Sequence, residues 1–317
     1  MSLTPAEISD VRNVVIVGSG CSGLTAAIYA GRANLRPLVL EGHEPGGQLS
    51  ITSDVENFRG FPSGIMGPEL IENMRKQAAR FGTDFRMGHI VSADLSKSPF
   101  VLDLGRDKIH TRTLIIASGA SARWLGLPSE QALIGKGVSS CATCDGFFFR
   151  GKEIAVIGGG DSAMEEALFL TRFGTTVHLI HRSDTFRASK IMLDRARAHE
   201  KIRFVTNTVV DEVLDISKDE VTGLRLRNIK TGELSELPVS ALFLGIGHDP
   251  NAKWLHGQLD TDHDGYLVTR DYVFTKVEGV FASGDVQDRR YRQAITAAGT
   301  GCMAAMEVEK YLEEHGV

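Results

Sequence analysis

The chain has 317 residues, 42% of them hydrophobic, and a formal charge of -5. That length provides for two domains of ordinary size, each with its own core. The weakly acidic balance gives no basic footprint for nucleic acid or an anionic membrane. Four cysteines are too few for a disulfide scaffold, and no apolar run reaches the length of a membrane span.

From Met1 to Asp10 there is neither a positive start nor a hydrophobic stretch. This segment reads as a short polar tail and not a secretory signal, which points to a cytoplasmic protein. Val14-Val15-Ile16-Val17 is a β-branched run of the kind buried in a parallel strand. It leads into Gly18-Ser19-Gly20-Cys21-Ser22-Gly23 and then into a helical pattern from Leu24 to Ala33. Strand, GxGxxG and helix form a dinucleotide-binding arrangement, with glycines for the turn and for close approach of backbone to a pyrophosphate. The helix N-terminus adds free N–H groups and a positive dipole end. A second strand, Pro37 to Leu40, ends at Glu41, where an acid accepts hydrogen bonds from a free ribose diol and repels a 2′-phosphate. This first site therefore takes FAD or NAD.

A Gly-rich loop (Pro45-Gly46-Gly47-Gln48), Glu56-Asn57-Phe58 and a helix from Pro68 to about Gly82 come next. The short runs Ile90-Val91 and Phe100-Val101-Leu102 predict a β-meander, and Leu114 to Ala117 a further strand. Cys141-Ala142-Thr143-Cys144-Asp145-Gly146 follows. Two thiols at this spacing can close a disulfide ring, share a metal or lie buried and unreactive. A structural zinc site needs four ligands, and neither a second such pair nor a following His-x-x-x-His is present. Asp145 adds a proton donor and acceptor beside the thiols, which favours redox chemistry.

The first pattern then recurs. Ile154 to Ile157 leads into Gly158-Gly159-Gly160-Asp161-Ser162-Ala163, a helix to about Phe173, and a strand Val177 to Ile180 ending at His181-Arg182. Gly18 corresponds to Gly158, Gly20 to Gly160 and Glu41 to His181, all at one offset. Two fingerprints in one register imply two nucleotide sites. The acid is missing from the second, where Arg182 and Arg187 suit the 2′-phosphate of NADP at about 1.5–3 kcal/mol per charge-assisted bond. A solvated basic edge is the alternative. A helix from Ser189 to His199, a strand at Ile202 to Val205, a meander to about Pro238 and the strand Leu242 to Leu244 complete this unit. Val280-Phe281-Ala282-Ser283-Gly284-Asp285 and a long helix from Gln293 to Glu313 return to the first. The expected fold is α/β, with two Rossmann-like three-layer domains, the second inserted into the first. Residues 1–118 and 248–317 form the first domain, and residues 119–247 form the second with the cysteine pair.

These motifs, with Gly-Gly-Gln-Leu, Phe-Arg-Ala-Ser and Gly-Asp-Val-Gln-Asp, resemble the low-molecular-weight thioredoxin reductases, from Val14 to about Tyr311. The resemblance implies FAD in the first domain. There Gly18, Ser19, Gly20, Cys21, Ser22 and Gly23 match the pyrophosphate loop, and Glu41 matches the ribose acid. Gly47, Gln48, Asn57 and Ile90 match further cofactor contacts; Gly284 and Asp285 match the ribityl contact. Arg292, Gln293 and Ala294 match the helix start beneath the flavin. It implies NADPH in the second domain, at Gly158, Gly160, Asp161, Ser162, Ala163, His181, Arg182 and Arg187.

Electrons would pass from NADPH to FAD, to the disulfide Cys141–Cys144 and to oxidised thioredoxin, near about -270 mV. By resemblance Cys144 lies nearest the flavin, Cys141 attacks the partner and Asp145 is the acid and base. A homodimer, and an inserted domain that swings on its two connections, are also implied. Another dithiol oxidoreductase of this fold, acting on a different protein or small disulfide, is the competing reading. The chain departs from the family pattern at Cys21-Ser22, Arg59 and Ser183, the last predicting a weaker preference for NADPH over NADH.

Overall fold

The structure is a computed structural model, and it describes residues 11–42, 45–52 and 54–317. The polar tail expected at Met1 to Asp10 lies outside the described residues. The chain divides into two compact units, Met1–Ser121 with Asp249–Val317, and Ala122–His248.

The first unit opens with β1 (Arg12–Val17), α1 (Cys21–Arg32) and β2 (Leu38–Leu40). Helix α1 begins three residues before the apolar pattern does, because Cys21, Ser22 and Gly23 of the glycine motif form its first turn. Then come α2 (Gly67–Arg80), with Pro68 in its first turn, β3 (Asp84–Arg86), β4 (Ser92–Asp94), β5 (Phe100–Asp103) and β6 (Lys108–Ile116). Ile90-Val91 is not a strand; Ile90 is buried in the connection before β4. The strands lie in the order β3-β2-β1-β6-β5-β4. Strand β6 does two jobs along its length. Its first half pairs antiparallel with β5, and its second half pairs parallel with β1, Val14 opposite Thr113 and Val17 opposite Ile116. Period-2 alternation fills both faces of the sheet. Val14 and Ile16 pack with Ala26, Ala30 and Ala304, while Val15 and Val17 pack with Leu102, Ile116 and Leu255.

The second unit contains β7 (Val138–Ser139), the single turn α3 (Ala142–Asp145), β8 (Glu153–Ile157), α4 (Asp161–Leu170), β9 (Thr176–His181), α5 (Lys190–Ala198) and β10 (Ile202–Thr206). A meander β11 (Thr208–Leu214), β12 (Gly223–Asn228), β13 (Leu234–Leu237) follows, and β14 (Ala241–Leu244) closes the sheet. The order β7-β14-β8-β9-β10 is parallel throughout. Here too the faces alternate, Ile154 and Val156 against Met164 and Ala167, Ala155 against Val213 and Leu224. Helix α4 stops at Leu170, short of Phe173, because the chain turns back there, with Gly174 N–H donating to the Leu170 carbonyl at 2.9 Å.

The chain returns to the first unit through β15 (Val280–Ala282), parallel to β6, and α6 (Ala294–Glu314). The small residues at the start of α6 have a packing reason. A Cβ on Gly301 would stand 2.1 Å from the Ser22 carbonyl oxygen, so α6 crosses α1 in backbone contact. No helix among the described residues is long and apolar enough to cross a membrane.

Candidate functional site: two nucleotide cradles and a disulfide

In the first cradle, Gly18 has φ +110° and a Cβ there would lie 2.3 Å from the Ala117 carbonyl oxygen, so only glycine is accommodated. Gly20 is the opposite case, since the nearest atom to a Cβ there is 3.9 Å away and the position faces open space. Gly20 is also the N-cap of α1, and no side chain caps that helix. Its first N–H groups therefore remain for an anion. The loop is braced from three directions. Ser19 Oγ accepts from Gly46 N–H (3.0 Å), Ser22 Oγ and Ser283 Oγ lie 2.7 Å apart, and Thr300 Oγ1 accepts from Gly284 N–H (2.9 Å). Cys21 turns inward, its Sγ 3.8 Å from Met74 Sδ, and burial together with Asp285 pushes its thiol up to about 12. Only its backbone could meet a phosphate. Gly23 is likewise a packing position, with no space for a Cβ against the Gly18 carbonyl oxygen.

Around this loop the structure gathers residues distant in sequence. Asn57 Nδ2 donates to Gln293 Oε1 at 3.3 Å, and Gln293 caps α6 with Thr296. Arg292, just before it, has φ +46°. Gly47 and Gln48 lie exposed in the one-turn helix Gly47–Ile51, and Ile90 is buried. Asp285, in the turn after β15, has a buried Oδ1 with no hydrogen-bond partner. Burial, with a further push from Asp288 and against a pull from Arg292, raises its carboxyl from 3.8 to about 7. An orphaned buried acceptor next to an open glycine cradle fits a hydroxyl-bearing dinucleotide. Glu41, at the end of β2, is buried, and Arg75 from α2 reaches it.

The second cradle repeats the first. Gly158 has φ +149° with a Cβ position 2.4 Å from the Gly245 carbonyl oxygen, and Gly160 faces open space. Helix α4 also lacks a side-chain cap. Ala163 is fully buried against Gly245, so it packs the helix on the sheet. The Asp161 carboxylate turns away from the cradle and accepts from Ser189 N–H at 2.7 Å. The Gly159 carbonyl accepts from Arg187 and Ala188 N–H (2.8 and 3.0 Å). The loop after β9 is thereby tied to the glycine loop. His181 sits directly over Gly159, within 3.1 Å of the Thr185 carbonyl through Nε2. Burial lowers its pKa, and the nearby Arg182 and Arg187 lower it further. His181, Arg182 and Arg187 are thus one cluster, and both arginines are exposed.

Cys141 and Cys144 are joined as a disulfide. Cys141 is the N-cap of α3, and its carbonyl accepts from the N–H groups of Cys144 (3.2 Å) and Asp145 (3.1 Å). The turn rests on α4 through buried Ala142 and through Gly146, where a Cβ would meet Leu170 Cδ2 at 2.8 Å. Burial raises the pKa of Asp145, and a hydrogen bond from Ser139 opposes it. Ser139, buried at the end of β7, also accepts from Cys141 N–H at 3.0 Å. Immediately after the pair, Phe147 and Phe148 are 53% and 43% exposed, large for such side chains.

Residues 12–301 match the family described as pyridine nucleotide-disulphide oxidoreductase. The chain belongs to this family. Among curated relatives it is 54% identical over 306 residues to a thioredoxin reductase of Mycolicibacterium smegmatis, covering 96% of this chain and 97% of that one. It is 55% identical over 308 residues to a thioredoxin reductase of Streptomyces coelicolor, covering 96% and 95%. A bifunctional thioredoxin reductase/thioredoxin of Mycobacterium leprae is 52% identical over 99% of this chain and 69% of its own length. Among solved structures, a thioredoxin reductase from Streptococcus pyogenes superposes with a TM-score of 0.92 at 38% identity, covering 96% of this chain and 99% of that one. The low-molecular-weight thioredoxin reductases are thus its relatives in both sequence and fold.

Arg75, Ser139, Phe147 and Phe148 escaped the sequence motifs. The aromatic run after the cysteines was a visible signal for the last two. Arg75 and Ser139 carry none, since each matters through a partner that only folding supplies.

Proposed function

We propose that this protein is an NADPH-dependent, FAD-containing thioredoxin-disulfide reductase. The observation that carries the reading is the Cys141–Cys144 disulfide with Asp145 beside it, in a chain that has two glycine cradles of one design. Bound FAD supplies the two-electron relay between a pyridine nucleotide and that disulfide. The first cradle holds the pyrophosphate of FAD through backbone N–H groups of Ser19 to Ser22, with Glu41 on the ribose and Asp285 on the ribityl chain. Asn57, Arg292 and Gln293 flank the α6 N-terminus, whose dipole favours negative charge on the ring. The second cradle holds NADPH, and Arg182 and Arg187 with His181 receive its 2′-phosphate.

Once the disulfide is opened, the Cys141 thiolate attacks one sulfur of the partner and displaces the other as a thiolate. Asp145, its proton affinity raised by burial, delivers a proton to that leaving sulfur. The Cys144 thiolate then attacks Cys141 Sγ, closing the ring and displacing the second partner sulfur as a thiolate, which takes its proton from solvent. The exposed Phe147 and Phe148 offer an apolar contact for a protein disulfide at that moment. Thioredoxin is the partner, the setting is cytoplasmic, and the protein works as a homodimer. Exposed Tyr29 on α1 and Ile295, Met303 and Met306 on α6 provide apolar surface for self-association.

NADPH-driven reduction of a chromogenic disulfide, measured with and without thioredoxin, tests the reading. Activity that needs thioredoxin and vanishes in Cys144→Ser is expected. Equal rates without thioredoxin would instead favour a small-disulfide reductase. Arg182→Ala with Arg187→Ala should raise KM for NADPH and leave KM for NADH little changed; equal effects on both would remove these arginines from the phosphate site.

A further inference from the structure

Glu41 does not stand alone at the end of β2. Arg75, on the third turn of α2, forks onto it, with Nε 3.1 Å from Oε1 and Nη2 3.4 Å from Oε2. The same guanidinium lies over the ring of Phe85, its carbon 4.3 Å from the centroid, and Phe85 belongs to β3, the strand next to β2. Three elements therefore converge on one side chain. The Glu41 side chain is only 6% exposed, whereas Arg75 is 40% exposed. A carboxylate this deep needs a partner, and a planar two-point fork also freezes its rotation. The fork uses one acceptor direction on each oxygen, and a carboxylate has about four, so capacity remains for two hydroxyls.

We propose that Arg75 is a positioning residue of the FAD site, holding Glu41 in the orientation that receives the ribose diol of the adenosine half. This rests on the reading of the first cradle as the FAD site. Arg75 acts through Glu41 and not by touching the chemistry of the reaction. Its contribution is preorganisation, because an acid already locked loses little freedom when the ligand arrives. An ordinary solvent-exposed ion pair would contribute almost nothing to binding, and the two cases separate cleanly by experiment.

The test is FAD binding to the full-length apo-protein, followed by quenching of flavin fluorescence. Arg75→Met should weaken FAD binding by about tenfold, which is ~1.4 kcal/mol. Arg75→Lys, which keeps the charge and loses the fork, should fall between it and the wild type. In a Glu41→Gln background, Arg75→Met should change affinity by less than about twofold, because the partner it acts through is gone. Two results would overturn the inference: FAD binding unchanged by Arg75→Met, or the same loss with and without Glu41→Gln, which would mark a structural effect. A wild-type protein that binds no FAD would overturn both this inference and the reading beneath it, and so is told apart from either.

Discussion

Asp285 is the group through which the structure makes its sharpest stability prediction. Its carboxyl is pushed from 3.8 to about 7, chiefly by burial. The folded protein thus binds a proton that the unfolded chain releases, so the contribution of Asp285 to stability is most favourable at acid pH and falls as pH rises from 3.8 toward 7. Between pH 5 and pH 8 about two units of this shift are lost. At ~1.4 kcal/mol per unit, and allowing for residual solvent around a half-buried group, the loss is on the order of 2 kcal/mol. Asp285→Asn keeps the shape and cannot ionise, so its stability lacks this component. Urea unfolding of the apo-protein near pH 5 and near pH 8 measures the difference. The variant should gain on the wild type by about 2 kcal/mol between those two pH values, while its affinity for FAD falls. A difference between variant and wild type that is the same at both pH values would refute the reasoning, because the acid would then titrate alike in folded and unfolded chains.

Gly158→Ala drives a methyl into the Gly245 carbonyl oxygen, and KM for NADPH should rise by about tenfold or more while the bound-flavin spectrum is kept. An unchanged KM would show that the loop relaxes freely. Ser139→Ala removes the hydrogen bond that opposes burial at Asp145, so the pH profile of thioredoxin reduction should move to higher pH. Ser139→Thr should restore it, and identical profiles would dismiss Ser139 from the proton step. Cys21, buried and with its thiol pushed up to about 12, should resist iodoacetamide near pH 8 in the native oxidised protein and react once the protein is denatured. Mass spectrometry that finds Cys21 labelled before denaturation would contradict its placement.

What was legible in the sequence was whatever a short stretch of backbone decides. Strand, glycine loop and helix are contiguous, and Gly18 and Gly158 answer to steric demands within a few residues and one neighbouring strand end. Continuous β-branched runs such as Val14 to Val17 declared a strand buried on both faces, which the two core clusters around it bear out. Boundaries were less legible. α1 starts early because its first turn is built from motif residues with no apolar signal, and Ile90 is apolar because it is buried in a connection, not because it pairs, while its neighbour Val91 is exposed.

Of the nucleotide cradles and the cysteine turn, the sequence by itself determined the residue types and their spacing, since these depend on local geometry and on chemistry that few side chains can perform. Only the tertiary structure decided which groups are held, burdened or freed. Asp161 serves Ser189, Asn57 meets Gln293 across 236 residues, and Ser139 bears on Asp145. Arg75 reaches back 34 residues to Glu41. Each of these depends on a partner brought close by packing and on the loss of water around it, and neither quantity is written along the chain.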